Sequence, residues 1–517
     1  MPIYAQGALN TTALIVPDLY VQIKPPQTLL LNGVPTDILG VIGTSSWGPV
    51  GEPTIVASMS DYATAFGLVI ARKYDMGTQV ATAVQQGAAN FRCVRVTDGT
   101  DTAASLMMLG AINFTALYTG SQGNNLTLSL TPGSASNSWR LTVAFPGLSP
   151  EVYDNIVGAG SSLWSNLANA VNYGSGVLRG PSRLVVASVV STSITPLAGL
   201  YEFSAGTPGT DGANLISASK LVGNDTVPRQ GMYALRGQGC ALAVLADVDD
   251  PLQWGVQVAF GLSESIYMIL TGPAGDSITN AVTTKAASGI DTYSAKLMFG
   301  DWIYWYDQAN AVTRLVSPQG IVAGRLANLS PEQSSLNKPL YGVIGSQKSG
   351  QPGTGTATTY ADADLSALLS AGIDVIANPQ PGGSYWGVRG GHNSSSNSAT
   401  NGDNYTRLTN YIARTLSAGM GAYVGHLVNA TLFQNIRSTL LAFLNALLSQ
   451  GLLGSNDGSL PFAVVCDGTN NPSERTGLGY VQADCQVRYQ AINEKFIVNV
   501  QGGQTVQVSR LSAPVAG

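Results

Sequence analysis

The chain has 517 residues, of which 44% are hydrophobic and only 11% are charged, against about 25% charged in an ordinary soluble domain. Its length suggests about three domains, and its net charge of -5 without a basic stripe argues against nucleic-acid binding through clustered Lys and Arg. A surface with so few charges repels other copies weakly, so the composition favours association.

The sequence shows no recognisable targeting or membrane segment. The first charged residue is Asp18 and the first cation is Lys24, so we expect no signal peptide. The longest apolar stretches, residues 184–200 and 440–453, contain polar residues and fall short of the roughly 20 residues that a spanning helix needs. We therefore expect no membrane insertion.

The four cysteines show no metal-binding or redox motif. Cys93, Cys240, Cys466 and Cys485 lack CxxC spacing and lie in apolar, strand-like contexts. We expect free buried thiols, as in a protein made in the cytosol, with a Cys466–Cys485 bridge as the open alternative.

Residues 1–28 predict an N-terminal arm. Pro17 and the pair at 25–26 bracket a segment in which Leu19, Val21 and Ile23 alternate with more polar neighbours, the period of a half-buried strand. A strand isolated between prolines needs a partner sheet, so this segment is a candidate for pairing with another subunit.

The middle of the chain predicts an α/β core interrupted by a β-rich region. Residues 29–110 contain strands at 38–43 and 90–96 and helices at 61–67 and 78–87. Residues 111–200 contain short alternating runs, such as 126–130 and 139–143, separated by Pro-Gly turns, which predicts a β-sandwich.

Residues 201–384 alternate strand and helix, as doubly wound α/β domains do, so we expect a mostly parallel sheet. The predicted strands are 241–245 and 266–270, and the predicted helices are 252–261, 278–287 and 319–328.

The last section, residues 385–500, predicts an α+β domain. Helices are expected at 405–416 and 431–450, the second with Leu or Ile at four-residue steps, a cap at Asn429 or Thr431 and an end at Gly451. Strands are expected at 462–466, 481–489 and 494–500, and residues 501–517 form a C-terminal arm.

No catalytic constellation is evident. The two histidines are His392 and His426, and a Gly43-Thr44-Ser45 turn resembles a subtilisin nucleophile turn only superficially, because Ser precedes His392 and Asp467 in the chain. A polar turn after a strand is the favoured interpretation. The sequence also lacks a GxGxxG or P-loop phosphate cradle. We therefore expect no catalytic, cofactor or metal site.

Several polar and aromatic groups have two interpretations. The acidic groups, Asp247, Asp249 and Asp250 with Asp362 and Asp364, could ligate a metal, but helix capping is favoured because each precedes a helix. The run 302–306 (WIYWY) could stack on a base or sugar, but it lacks interleaved cations, so a packed strand is favoured.

Arg407 and Arg414 are seven residues apart on one predicted helix, and therefore fall on nearly one face. They form either a solvated or intramolecularly paired face, or a contact to an acidic partner.

Segments along most of the chain resemble contractile tail sheath proteins of bacteriophages, in the family's order. The segments are Val16-Pro17-Asp18-Leu19-Tyr20-Val21, Gly40-Val41-Ile42-Gly43, Gly48-Pro49-Val50, Asp61-Tyr62, Phe66-Gly67, Leu117-Tyr118-Thr119-Gly120, Gly123-Asn124-Asn125, Gly209-Thr210-Asp211-Gly212, Tyr385-Trp386-Gly387-Val388-Arg389, Tyr405-Thr406-Arg407-Leu408, Gly451 to Gly454, Asp467 and Asn471-Pro472. The family's usual Gly-Ala-Arg-Thr stands here as Gly387-Val388-Arg389-Gly390, and an Arg expected before Arg407 is Thr406.

The resemblance implies a catalytically inactive subtilisin-like core, an outer β-sandwich and a sheath C-terminal domain. It implies a non-enzymatic subunit, without cofactors, that polymerises as stacked hexameric rings around a tail tube and contracts to drive the tube through a cell envelope. The implied partners are other copies, the tube protein, and the baseplate and tail terminator proteins. The implied location is the virion tail, assembled in the host cytoplasm.

In this family, arms of neighbouring subunits add strands to a third subunit's C-terminal domain. The resemblance implies that Leu19, Val21 and Ile23 belong to one such strand. It implies that a second strand contains Phe496, Val498 and Val500, while Arg407 and Arg414 are candidates for facing the tube. The sheath of a phage-derived bacteriocin or secretion device, an α/β hydrolase and an adhesin remain alternatives.

Overall fold

The computed structural model describes residues 3–6, 20–23, 31–174, 180–191, 194–351 and 358–500, with only the backbone described for 3–6 and 20–23. The strands are β1 Ile3–Gln6, β2 Tyr20–Ile23, β3 Leu39–Gly43, β4 Thr54–Val56, β5 Phe91–Arg95, β6 Ser105–Met108, β7 Ile112–Ala116, β8 Thr127–Pro132, β9 Ser138–Ala144, β10 Glu151–Val157, β11 Val185–Val189, β12 Gly199–Glu202, β13 Leu242–Leu245, β14 Tyr267–Thr271, β15 Ala295–Met298, β16 Ile303–Asp307, β17 Val312–Val316, β18 Val343–Ser346, β19 Ile373–Asp374, β20 Ile376–Ala377, β21 Gly387–Val388, β22 Phe462–Val465 and β23 Asp484–Val487.

The helices follow the same chain order. They are α1 Met59–Phe66, α2 Met76–Gln85, α3 Ser161–Tyr173, α4 Ala218–Val222, α5 Trp254–Glu264, α6 Ile278–Ser288, α7 Gln319–Asn328, α8 Asp362–Ser370, α9 Asp403–Gly419, α10 Ala430–Ser449 and α11 Ser473–Thr476. Not one of these described helices is both long enough and apolar enough to cross a membrane.

A seven-stranded sheet forms the centre of the molecule, in the order β19-β15-β14-β13-β3-β5-β4. Every neighbouring pair is parallel except β4 with β5. All residues of β3, β13, β14 and β15 are buried, as in a parallel sheet covered on both faces. The predicted mostly parallel sheet is confirmed.

Helices cover both faces of this sheet because successive strand residues point in opposite directions. On β3, Ile42 joins an apolar cluster with residues of α4, α5, α6 and α8. Its neighbour Val41 joins a second cluster with residues of α1, α2 and α7. The core is therefore a three-layer α/β/α arrangement.

The β-rich region contains two antiparallel sheets that share one apolar cluster. Their strand orders are β10-β9-β8-β12 and β11-β7-β6, and α3 packs into the same cluster through Trp164 and Leu167. Trp47, from the loop after β3, also enters this cluster, with its ring 5.4 Å from that of Tyr118. The boundaries 111 and 200 stay a prediction.

The C-terminal section packs α9, α10 and the β22–β23 hairpin around a separate apolar cluster that includes Leu408, Leu440 and Phe462. Asn429 caps α10, because its side chain accepts a hydrogen bond from the Leu432 N–H at 2.8 Å. Both predicted helices and the first two strands are confirmed, the second shortened to β23.

The predicted strand at residues 494–500 is wrong for the single chain. The backbone there makes no ladder, because no described strand lies beside it. Residues 501–517 lie outside the described part of the chain.

Candidate subunit interfaces

The N-terminal arm contributes a short parallel pair, β1 with β2. The register places Tyr4 beside Val21 and Gln6 beside Ile23, so two of the three predicted arm residues lie in a strand, and Leu19 lies outside the described residues. The predicted strand between prolines is confirmed, and one edge of it is occupied by the chain's own first residues.

The β22–β23 hairpin is a two-stranded sheet at the surface, here called the C-terminal hairpin. Phe462 and Val464 point into the apolar cluster, whereas Val465 points away from it and is partly exposed. Each strand is hydrogen-bonded along one edge to the other and has no second neighbour among the described strands. An open edge of unpaired N–H and C=O groups accepts an added strand.

The chain that follows the hairpin is fixed to the molecule as far as Glu494. The Gln490 carbonyl accepts a hydrogen bond from Asn404 Nδ2 at 3.0 Å, and the Glu494 carboxylate lies 2.8 Å from the His392 ring. The Tyr489 ring packs edge-on against Tyr405, with their centroids 5.7 Å apart. The arm therefore leaves the subunit after Glu494.

Beyond this point the predicted C-terminal arm residues are exposed apolar side chains. The exposed fractions are 82% for Phe496, 64% for Val498 and 84% for Val500, and Ile497 is exposed as well. Burying such side chains is favourable, and a contiguous exposed run marks an interaction segment.

Arg407 and Arg414 do not form a shared exposed face. Arg407 is only 5% exposed, and its guanidinium donates hydrogen bonds to the carbonyls of Leu329 at 2.7 Å and Ser330 at 2.9 Å, at the end of α7. Burial lowers the pKa of Arg407 to about 10. The intramolecular interpretation describes this residue, so its charge is not available to a tube in the subunit as folded here.

Arg414 is partly exposed and donates a hydrogen bond to the Gly239 carbonyl. It also lines an open cleft between α9 and the core, with Cys240 and Glu264 on the opposite wall. Of the two arginines, Arg414 alone keeps a surface on which a partner could act, and its role toward the tube stays a prediction.

An apolar groove beside the C-terminal hairpin was not anticipated from the sequence. The groove has a volume of about 410 Å³ and lies between the loop after α9 and the segment leading into β23. Val424, Leu427, Leu478 and Tyr480 are large exposed side chains in these two segments. The sequence signal that indicates this groove is a cluster of apolar residues next to Gly425 and Gly479, outside any periodic element.

Each of the residues considered for hydrolytic chemistry contacts a group other than its supposed triad partners. The Ser45 hydroxyl is buried and donates to the Trp47 carbonyl at 2.8 Å, and Asp467 accepts from the Thr469 N–H at 2.8 Å. His392 contacts Glu494 instead. The structure therefore does not assemble the three into a triad.

The acidic groups considered as metal ligands act within the subunit. Asp250 accepts a hydrogen bond from the Leu252 N–H at 3.0 Å, Asp364 pairs with Lys348 at 2.8 Å, and Asp249 pairs with Lys73 at 2.9 Å. Among the residues that the structure describes, no three His, Cys, Asp or Glu side chains are grouped to hold a metal. Cys93, Cys240, Cys466 and Cys485 are free thiols, Cys485 being exposed, and the alternative bridge is not formed.

Solved structures with a similar fold include sheath proteins of contractile systems. The sheath tail protein from Desulfitobacterium hafniense is 16% identical, with a TM-score of 0.58 over 86% of this chain and 93% of that chain. The sheath tail protein from Listeria innocua is 15% identical, with a TM-score of 0.57 over 85% and 90%. The helical sheath of the anti-feeding prophage in its contracted state is 11% identical, with a TM-score of 0.55 over 94% and 99%.

No protein-family model matches the sequence, and no curated protein matches it significantly. The structural likeness shows that this chain has the fold of contractile sheath proteins.

Proposed function

We propose that the protein is the structural subunit of a contractile tail sheath. The observation that carries this proposal is the coverage of the structural likeness, which extends over 94% of this chain and 99% of a subunit of a contracted helical sheath. Partial likeness of the α/β core alone would fit many unrelated functions, because fold does not determine function. Likeness over nearly the whole chain, and not over one domain alone, supports a sheath subunit.

The arms and the C-terminal hairpin form the proposed links between subunits. A strand from a neighbour adds to a free edge of β22 or β23 through main-chain hydrogen bonds, and the exposed apolar side chains of residues 496–500 become buried. Such links depend little on side-chain identity, and they can persist while rigid subunits rotate about them. Head-to-tail contacts of this kind produce helices when the rotation does not close.

The finer features follow the resemblance and are part of the proposal. The subunits form hexameric rings stacked around a tail tube, in the virion or in a phage-derived device. The core is an inactive subtilisin-like domain, the β-rich region lies on the outside, and the partners are the tube, baseplate and tail terminator proteins. Assembly takes place in the host cytoplasm.

Negative-stain electron microscopy of the protein expressed alone tests the proposal. We expect hollow sleeves with a regular helical repeat, in the contracted form because no tube is present to hold the subunits in an extended form. Monomers that persist at high concentration, both alone and with the co-expressed tube protein, would contradict the proposal.

Two truncations test the links. Deleting residues 1–27 or residues 495–517 should leave a soluble, folded subunit that no longer forms sleeves, because the described members of the four apolar clusters all lie between Leu31 and Tyr489. A control is Val186→Asp, at an apolar site 47% exposed on β11 in the β-rich region, which should still polymerise. Normal sleeves from either truncated chain would refute the strand links.

A further inference from the structure

One lysine and two aspartates are enclosed at the edge of the central sheet, beneath the start of α9. Lys296 on β15 and Asp403 on α9 have no exposed surface, and Asp374 on β19 is 2% exposed. Lys296 Nζ lies 2.6 Å from Asp374 Oδ2 and 3.0 Å from Asp403 Oδ1. The amine is therefore in contact with two carboxylates in a site without water access.

The Asp374 carboxyl group is held in one orientation by the backbone. Its Oδ1 accepts hydrogen bonds from the Val375 and Gly390 N–H groups, both at 2.8 Å, and its Oδ2 accepts from the His392 N–H at 3.1 Å. Two converging N–H donors on one carboxyl oxygen form the arrangement that stabilises the oxyanion of a tetrahedral intermediate. Lys296 approaches from the side of the other oxygen.

The second carboxylate is positioned to move a proton. Asp403 Oδ1 accepts a hydrogen bond from the Tyr267 hydroxyl at 2.6 Å, and Oδ2 accepts from the Ser335 N–H at 3.1 Å and from the Ser335 hydroxyl. Burial alone raises the pKa of Asp403, but the Lys296 charge and these hydrogen bonds lower it below its ordinary value. The group is ionised and lies within hydrogen-bond reach of Nζ.

We propose that Lys296 and Asp374 condense to an intramolecular isopeptide bond, with Asp403 as the proton acceptor. A proton passes from the ammonium to Asp403, and the free Nζ electron pair attacks Asp374 Cγ. The C–O bond to Oδ2 then breaks. Of the three ammonium protons, one stays on the amide nitrogen and two leave with Oδ2 as water, so ammonium plus carboxylate gives amide plus water without an oxidant or other reactant.

The energetic reason lies in the burial of the charges. Three ionised groups without solvent carry a desolvation cost that their mutual attraction offsets only in part, whereas the product leaves a single buried charge on Asp403. That carboxylate keeps its donors from Tyr267 and Ser335. The bond would covalently link β15 to β19, which are already neighbouring strands, with Met298 paired with Asp374.

Mass spectrometry of the intact protein, denatured after purification, tests this inference independently of the sheath proposal. We expect the wild-type mass about 18 Da below that of the sequence, and a proteolytic product containing both residue 296 and residue 374. Lys296→Arg, Asp374→Ala and Asp403→Asn should restore the full mass. Wild-type protein at the full sequence mass would overturn the inference, whatever the variants do.

A second buried lysine provides a control, and one other reaction would produce the same mass loss. Lys285 is also buried, but its Nζ binds the carbonyls of Ala371 and Ser394 and no carboxylate, so Lys285→Arg should keep the mass loss. A succinimide at an Asp-Gly step such as Asp98-Gly99 would also remove one water. A loss that persists in Lys296→Arg would therefore assign the change to such a step and overturn the isopeptide bond.

Discussion

Replacing Arg407 with Met should open the contact between α9 and the end of α7 without changing the surface of the subunit. The side chain makes two short hydrogen bonds to the Leu329 and Ser330 carbonyls, and hydrogen bonds from a charged donor contribute about 1.5–3 kcal/mol each. Methionine fills most of the volume but donates to neither carbonyl, so the Leu329 carbonyl loses this donor and the Ser330 carbonyl keeps only the Gln333 N–H. We expect a loss of about 3 kcal/mol in the local free energy of opening, taking the lower value for each bond.

Hydrogen exchange measured by mass spectrometry is the appropriate assay, because a chain with several apolar cores does not unfold in two states. A loss of about 3 kcal/mol corresponds to roughly 150-fold faster exchange of the α9 amides. Arg414→Met, which removes one hydrogen bond from a partly exposed side chain, should change exchange by less than about tenfold. Equal effects of the two substitutions would refute the assignment of Arg407 as the buried link.

Three further outcomes are expected. Burial raises the pKa of Asp75 to about 7, so the folded state binds more protons than the unfolded state between about pH 4 and 7. The stability of the protein should therefore fall as the pH rises through this range. The Asp75→Asn variant should show a flatter profile of unfolding midpoint against pH and should be more stable than the wild type at pH 8, by up to about 4 kcal/mol. Asn429→Ala should cost the N-terminus of α10 about 1 kcal/mol, seen as faster amide exchange, whereas Asn429→Asp should retain the cap. Leu440 is only 3% exposed, so Leu440→Ala should lower the free energy of unfolding of the C-terminal section by about 2–5 kcal/mol. Denaturant titrations followed by hydrogen exchange measure this loss, and a loss below about 1 kcal/mol would contradict the buried position of this side chain.

Much of the secondary structure follows from local patterns. Apolar residues at helical spacing, the Asn429 cap and the glycine after the helix define α10, because both the periodic face and the cap depend on residues close in sequence. The continuous apolar runs at residues 241–245 and 266–270 likewise predict strands buried on both faces, and the alternation with helices predicts a parallel sheet.

A strand that needs a partner from another chain is not determined in this way. Residues 494–500 have the composition of a strand, yet they lie exposed in the single subunit because no edge is beside them. Strand formation requires hydrogen bonds to a neighbour, so the pattern of this segment describes an assembly and not the subunit alone.

By itself, the sequence determined the α/β core and the order of its elements, because periodicity and turn residues act locally. The tertiary structure alone decided which charged residues are buried and which groups they contact. Arg407, for which helical spacing left a solvated face, an intramolecular contact and a partner contact open, is buried against the end of α7. Lys296 contacts Asp374 and Asp403 although 78 and 107 residues separate them in the chain. Charges acquire their roles from neighbours that are distant in sequence, and only the packing of α7, α9 and the sheet edge brings these neighbours together.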